Sequence, residues 1–183
     1  MTFALRKGEP DDATAVGAIC YAAFKAIAGA HNFPPDFPSP GVAIELTAAM
    51  LSNPRIYSVI AERDGKTVGS NFLWERDAIA GVGPITVDPA VQDGRIGRAL
   101  MQAVLERADK KGWAGVRLVQ AAYHNRSLSL YAKLGFDARE PLTTLQGPPI
   151  SASIPGYEVR KATMNDIAAC NALCQHVHGH DRD

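Results

Sequence analysis

The sequence predicts an α/β fold of the α+β kind: a mixed central sheet flanked by helices, with a C-terminal strand–helix extension. Three observations predict it. Short β-branched runs alternate with stretches whose apolar residues recur at helical spacing. Asp64-Gly65, set between RIYSVIAER and KTVGSNFLWER, is a two-residue hairpin signal that adds antiparallel strands to the α/β order. Finally, the segment starting at Tyr157 repeats the apolar pattern of the segment starting at Phe3.

The elements follow in order. FALRK (3–7) is a short first strand. Asp11 or Asp12 caps the helix after it, whose inward face carries Ala13, Val16, Ile19, Cys20, Ala23, Phe24 and Ile27, with Gly29 as its stop. The stretch AHNFPPDFPSP is a Pro-rich loop, because proline removes backbone donors and fixes φ. A second helix covers 41–51, ended by Asn53-Pro54, and the hairpin comes next. A strand is predicted over 79–87 and a long helix over 96–111, with Leu100, Val104, Leu105 and Ala108 inward and Gly112 closing it. GVRLVQA reads as a buried strand, Arg126 to Leu134 as a helix, and Phe136–Arg139 with Leu142–Gln146 as a last strand pair.

Composition sets limits. At 183 residues the chain holds one domain of ordinary size and a fragment more, and a 46% apolar share is enough for a core. A formal net charge of zero gives no electrostatic case for nucleic acid or an acidic membrane surface, so neither is expected as a partner. No apolar run is read as approaching the roughly 20 residues of a membrane span, and no signal-peptide pattern opens the chain. Three cysteines without paired spacing suit reduced thiols and a cytoplasmic location.

The stretch GVGPITVDPAVQDGRIGRAL (81–100) carries the chemistry. A strand ends at Val87, a Pro-containing turn follows, and Gly94 and Gly97 punctuate the entry to a helix. The first N–H groups of a helix lack intrahelical partners and sit at the positive end of its dipole, which makes an anion site from backbone alone. A Walker loop would need Lys and Ser or Thr after the second glycine, where Arg98 and Ala99 stand; a dinucleotide fingerprint would need a third glycine. Farther on, HNRSLSLYAKLGF (124–136) places Ser127, Tyr131, Gly135 and Phe136 at fixed spacing.

These two segments together resemble the GNAT acetyltransferase superfamily over about residues 3–146. The first matches the acyl-CoA loop, a strand ending in Val-x-Pro (Val87-Asp88-Pro89) followed by Gln92, Asp93, Gly94, Arg95, Ile96 and Gly97; the second matches the closing Tyr-x-x-x-Gly-Phe. The chain departs from the pattern at Arg95, where the family's first motif glycine falls. The resemblance implies acetyl-CoA as cosubstrate, without a metal, and transfer of its acyl group to an amine. It implies that Ile85, Thr86 and Val87 present backbone to the pantetheine and thioester, and that Gln92, Asp93, Gly94, Arg95, Ile96, Gly97 and Arg98 take the pyrophosphate. His124 or Asn125 holds the pantetheine amides, and Tyr131 is the acid for the leaving thiolate. The acceptor is a small-molecule or peptide amine, and a homodimer is compatible with the resemblance. Two other readings stay open: an acyl-CoA-binding module of weak activity, and a structural half of a tandem protein.

No general base is assigned from the sequence. Glu75, Asp77 and His31 are the candidates weighed, alongside a water chain. The resemblance implies that the loop HNFPPDFPSP walls the acceptor side; its Phe33 and Phe37 read either as part of that wall or as anchors of the loop itself.

The tail completes the organisation: a domain over 1–146, a Gly/Pro/Ser-rich linker over 147–156, and the start of a second repeat over 157–183. At an offset of 154 residues, Arg6-Lys7 falls on Arg160-Lys161, Asp12 on Asp166, Ala18 on Ala172 and Cys20 on Cys174. Cys170, Cys174 and His178 share one helical face at zinc-ligand spacing, with His176, His180 and Asp181 nearby. Their repeat partners are Val16, Cys20 and Phe24, so they read as core positions instead of ligands, and no metal site is expected.

Overall fold

A computed structural model describes residues 2–145, 147–149 and 152–179. The boundaries at 146 and 183, linker residues 150 and 151, and His180 and Asp181 lie outside the described residues.

At one edge of the sheet, β1 (Ala4–Lys7) runs antiparallel to β2 (Ile56–Arg63), which pairs through the hairpin with β3 (Lys66–Trp74). Asp64 and Gly65 have φ of 52° and 72°, the left-handed pair that a tight hairpin turn requires. Beyond β3 the expected strand over 79–87 is two strands, β4 (Ala80–Val82) and β5 (Thr86–Val87). Gly83, at φ 120°, and Pro84, which has no N–H to give a ladder, separate them. Both pair with β3, but only β4 has an outer neighbour among the described residues, the parallel strand β6 (Val116–Arg117).

The sheet therefore opens beside β5. GVRLVQA narrows to the two residues of β6, with Val119 77% exposed, and no strand appears over 136–145. A strand needs a ladder partner for its N–H and C=O groups, and these segments find none. Pro141 removes a donor from the second, and Leu142 and Leu145 stand in solvent.

Helices α1 (Ala13–Ala30) and α2 (Pro40–Leu51) cover one face and α3 (Ile96–Lys111) the other. The period-two alternation of β2 feeds both layers: Ile56 and Ile60 meet Val16, Met50 and Phe72, while Val59 and Ala61 meet Leu100, Val104 and Ala108. Helix α1 runs one residue past the predicted stop at Gly29, and its end closes with His31 and Phe33 N–H groups donating to Ala28 O. Asp12 does not cap it through its side chain; that carboxylate accepts from the Glu9 N–H (2.9 Å) and from Arg6. A Cβ on Gly17 would lie 2.5 Å from the Ile44 Cα, so α1 and α2 cross at backbone contact.

The stretch Pro10–Ala30 corrects one expectation: at 21 residues it is long and apolar enough to cross a membrane by length and composition. In this fold one face of it packs on α2 and the sheet, with Val16, Gly17, Cys20 and Ala28 buried. Two further α-helices occur among the described residues, α4 (Asn125–Ala132) beside the opening and α5 (Ile167–His178) in the tail. Residues 157–161 form no strand, and α5 buries no residue.

Candidate active site

The opening of the sheet is a cavity of about 670 Å³. Its floor is the open edge of the second half-strand, Ile85, Thr86 and Val87; one wall is the α3 entry and another is α4. Ala23, Ala26 and Ile27 of α1 close the far side. Gly69 keeps this floor low: a Cβ there would lie 2.8 Å from the Thr86 O, so β5 can approach β3 only because the residue is glycine.

The α3 entry leaves backbone donors open toward the cavity. Its first backbone bond runs from Ala99 N–H to Arg95 O (3.1 Å), leaving the N–H groups of Ile96, Gly97 and Arg98 without intrahelical partners. No acidic residue lies in the first turn to compete for the dipole. Arg95 is in the left-handed region at φ 61°, as is Asp93 at φ 73°; Gly94 between them is not. The conformation the family motif reserves for glycine is thus held here by an arginine, at a cost of about 1–2 kcal/mol.

Arg126 ties this loop to α4. Its guanidinium donates to Gln92 Oε1 (3.0 Å) and Asp93 Oδ1 (2.6 Å), while Gln92 Nε2 donates to Val87 O (3.2 Å). Strand end, loop and helix are joined by one run of side-chain bonds. Arg126 is a functional candidate missed from the sequence, where only the motif positions around it were weighed; Ser127, Ser129, Leu130 and Lys133 also line the cavity.

Between the two candidates for the pantetheine position, His124 lines the cavity and Asn125 does not. His124 Nδ1 accepts the Ser127 N–H (3.4 Å) and so caps α4. Burial first, then the neighbouring Arg126 guanidinium, hold its pKa below the usual histidine value. With Nδ1 taken up by the Ser127 N–H, the neutral ring carries its proton on Nε2, a hydrogen-bond donor, and keeps no free lone pair with which to act as a base.

Tyr131 also lines the cavity and is 7% exposed. Burial pushes its phenol pKa above the usual value, against a smaller opposing pull from the Ser127 side chain. The rest of the motif has a structural reason. Gly135 takes φ 92°, and the Phe136 N–H returns to Tyr131 O (3.1 Å), ending the helix and setting the two rings 6.0 Å apart.

Of the other predicted residues, Ile85, Thr86, Val87, Gln92, Asp93, Arg95, Ile96, Gly97 and Arg98 line this cavity, while Gly94 faces a shallower hollow with Phe3 and Arg63. The three base candidates are elsewhere. Glu75 is held by Arg107 (2.8 and 3.1 Å) and Asp77 by Arg117 (3.1 Å). His31 donates from Nδ1 to Ile27 O (2.9 Å) and stacks on Tyr123 at 5.0 Å. Phe33 stacks on the same ring at 4.5 Å, and Phe37 meets Phe24 edge-on at 5.6 Å. The loop's aromatics are in these contacts anchors of the loop itself.

Comparison with known proteins agrees with this arrangement. A sequence model of the acetyltransferase (GNAT) family matches residues 14–136, about two thirds of the chain. The chain is 30% identical over 104 residues to an IAA acetyltransferase of Azospirillum brasilense, covering 55% of this chain and 67% of that protein. It is 35% identical over 86 residues to a mycothiol acetyltransferase of Brachybacterium faecium, covering 43% of this chain and 25% of that longer protein. In fold it is similar to the PaiA N-acetyltransferase of Thermoplasma acidophilum solved in complex with coenzyme A. The TM-score there is 0.64 at 18% identity, over 77% of this chain and 93% of that one.

Proposed function

This chain belongs to the acetyltransferase (GNAT) family, and from that premise we propose that it is an acetyl-CoA-dependent N-acyltransferase acting on a primary amine of a small molecule or peptide. One observation carries the reading: the unpartnered N–H groups of α3, the open edge of β5 and the Tyr131 phenol converge on one cavity. The N–H groups of Ile96, Gly97 and Arg98 take the pyrophosphate, with the positive dipole end favouring its charge. Along β5, free backbone groups pair with the amides of the pantetheine arm as an added strand would. His124 Nε2–H donates to a carbonyl of that arm.

Tyr131 faces the departing sulfur. Its phenol, at a raised pKa, is protonated throughout the physiological range. A free thiol, near pKa 8.5, is a stronger acid than an ordinary phenol near 10. The phenol therefore stabilises the developing thiolate by a hydrogen bond, and water completes its protonation. No residue is assigned as base; the amine enters deprotonated.

Thiol release from acetyl-CoA across a panel of small amines and peptide N-termini tests this. Amine-dependent release supports transfer. A second reading, acyl-CoA binding without turnover, is favoured by one fact: among the described residues the only carboxylate lining the cavity, Asp93, is paired with Arg126. Tight binding with no release by any amine would select it.

A further inference from the structure

The tail reproduces, bond for bond, the device that opens the first unit. Arg6 donates to both Asp12 oxygens (2.8 and 2.7 Å) and to Lys7 O (3.2 Å), the Glu9 N–H donates to the same carboxylate (2.9 Å), a 3-10 turn spans Pro10–Asp12, and α1 starts at Ala13. At an offset of 154 residues, Arg160 donates to both Asp166 oxygens (2.8 and 2.6 Å) and to Lys161 O (3.2 Å). The Thr163 N–H donates to that carboxylate (2.7 Å), a 3-10 turn spans Met164–Asp166, and α5 starts at Ile167. These bonds are local, so the sequence sets them without tertiary support.

What differs is what covers the device. Arg6 Nε donates to Glu62 of β2 (2.8 Å), while Arg160 has no such third partner among the described residues. Val16 and Cys20 are buried at 0% and 1%, whereas their counterparts Cys170 and Cys174 are not. Leu5 is 38% exposed and its counterpart Val159 98%. Ile167, Cys170, Cys174 and Val177 fall three, four and three residues apart along one side of α5, an apolar seam that nothing buries among the described residues.

We propose that residues 157–178 are the counterpart of β1 and α1 in a second unit of this fold, and that the unpaired backbone of 157–161 and the apolar seam of α5 are the docking surface for the rest of that unit, on which 157–161 become its first strand. The partner has a definite chemistry: an antiparallel strand whose carboxylate faces Arg160, as Glu62 faces Arg6, and a helix lying over Cys170 and Cys174. That helix stands farther off than α2 does, because Asn171 replaces Gly17, and a Cβ at Gly17 would meet the Ile44 Cα at 2.5 Å.

The test gives the tail such a partner. Residues 1–178 are continued with a second copy of residues 25–146, with Asn171 kept or changed to Gly, and a control fusion follows residues 1–156 with a second copy of 3–146. Amide exchange in α5 is measured against the 183-residue chain. In the Asn171→Gly fusion, exchange over residues 167–178 is expected to slow by about a hundredfold; the Asn171 fusion should be less protected. Glu62→Gln in the added copy should reduce that protection. Exchange at the parent rate in the Asn171→Gly fusion, while the control's second copy is protected, would overturn the proposal. Indifference to Glu62→Gln would overturn the role given to Arg160. Neither outcome depends on acetyl-CoA binding.

Discussion

Arg95 occupies a left-handed backbone position at φ 61° that glycine adopts without a steric penalty. Arg95→Gly is expected to stabilise the fold by about 1 kcal/mol, read as a rise in urea midpoint at unchanged slope. If the same variant also weakens acetyl-CoA binding, the guanidinium belongs to the phosphate site and explains why the strained residue is there. Tyr131→Phe removes the hydroxyl and leaves the ring against Phe136; it should lower kcat for thiol release about a hundredfold with KM little changed. His124 supplies a pH signature. Its folded-state pKa lies below the unfolded value near 6.5, so the unfolded chain binds the extra proton. The stability it contributes is complete above that value and is lost as pH falls through the folded pKa. Unfolding curves between pH 7 and 5 should show this slope in the native chain and not in His124→Asn, where the amide oxygen still caps α4.

At the scale of elements, the site depends on two close approaches that glycine permits. Gly17 lets α1 lie on α2 at backbone contact, and Gly69 lets β5 approach β3. Gly17→Ala is expected to destabilise the domain by about 1–3 kcal/mol, measured by denaturant unfolding, because the Ile44 backbone cannot yield as a side chain does. These contacts were not legible in the sequence, where Gly17 sits in an unbroken helical pattern. The helices were: apolar periodicity and terminal signals such as Gly112, left-handed at φ 70°, depend on nearby residues. The hairpin was legible for the same reason, through Asp64-Gly65. The strands over 79–87 and in GVRLVQA were legible in place but not in extent. Whether GVRLVQA pairs along its length depends on a partner far away in sequence, and the expected pair over 136–146 has none in the described part.

Across the whole molecule, the cavity-lining motif positions were readable because spacing to a helix start is local information. Arg126 was missed since its value lies in bridging Gln92 and Asp93, more than thirty residues away. Asn125 could be separated from His124 only by seeing which one faces the cavity. The molecule as a whole is a sheet that parts at Gly83-Pro84, with the open N-terminus of α3 on one lip and the Tyr131 phenol on the other. That arrangement makes Gly97 the most direct probe. A Cβ there would meet only Leu130 and Val87, at 3.7 and 3.8 Å, so a larger residue is tolerated by the fold while its side chain enters the cavity wall. Calorimetric titration of acetyl-CoA into the native chain and into Gly97→Glu, with melting curves for both, is the decisive measurement. Expected are one saturable site in the native chain and loss of binding in Gly97→Glu, at nearly unchanged Tm. No binding by the native chain, or equal binding by the glutamate variant, would contradict it.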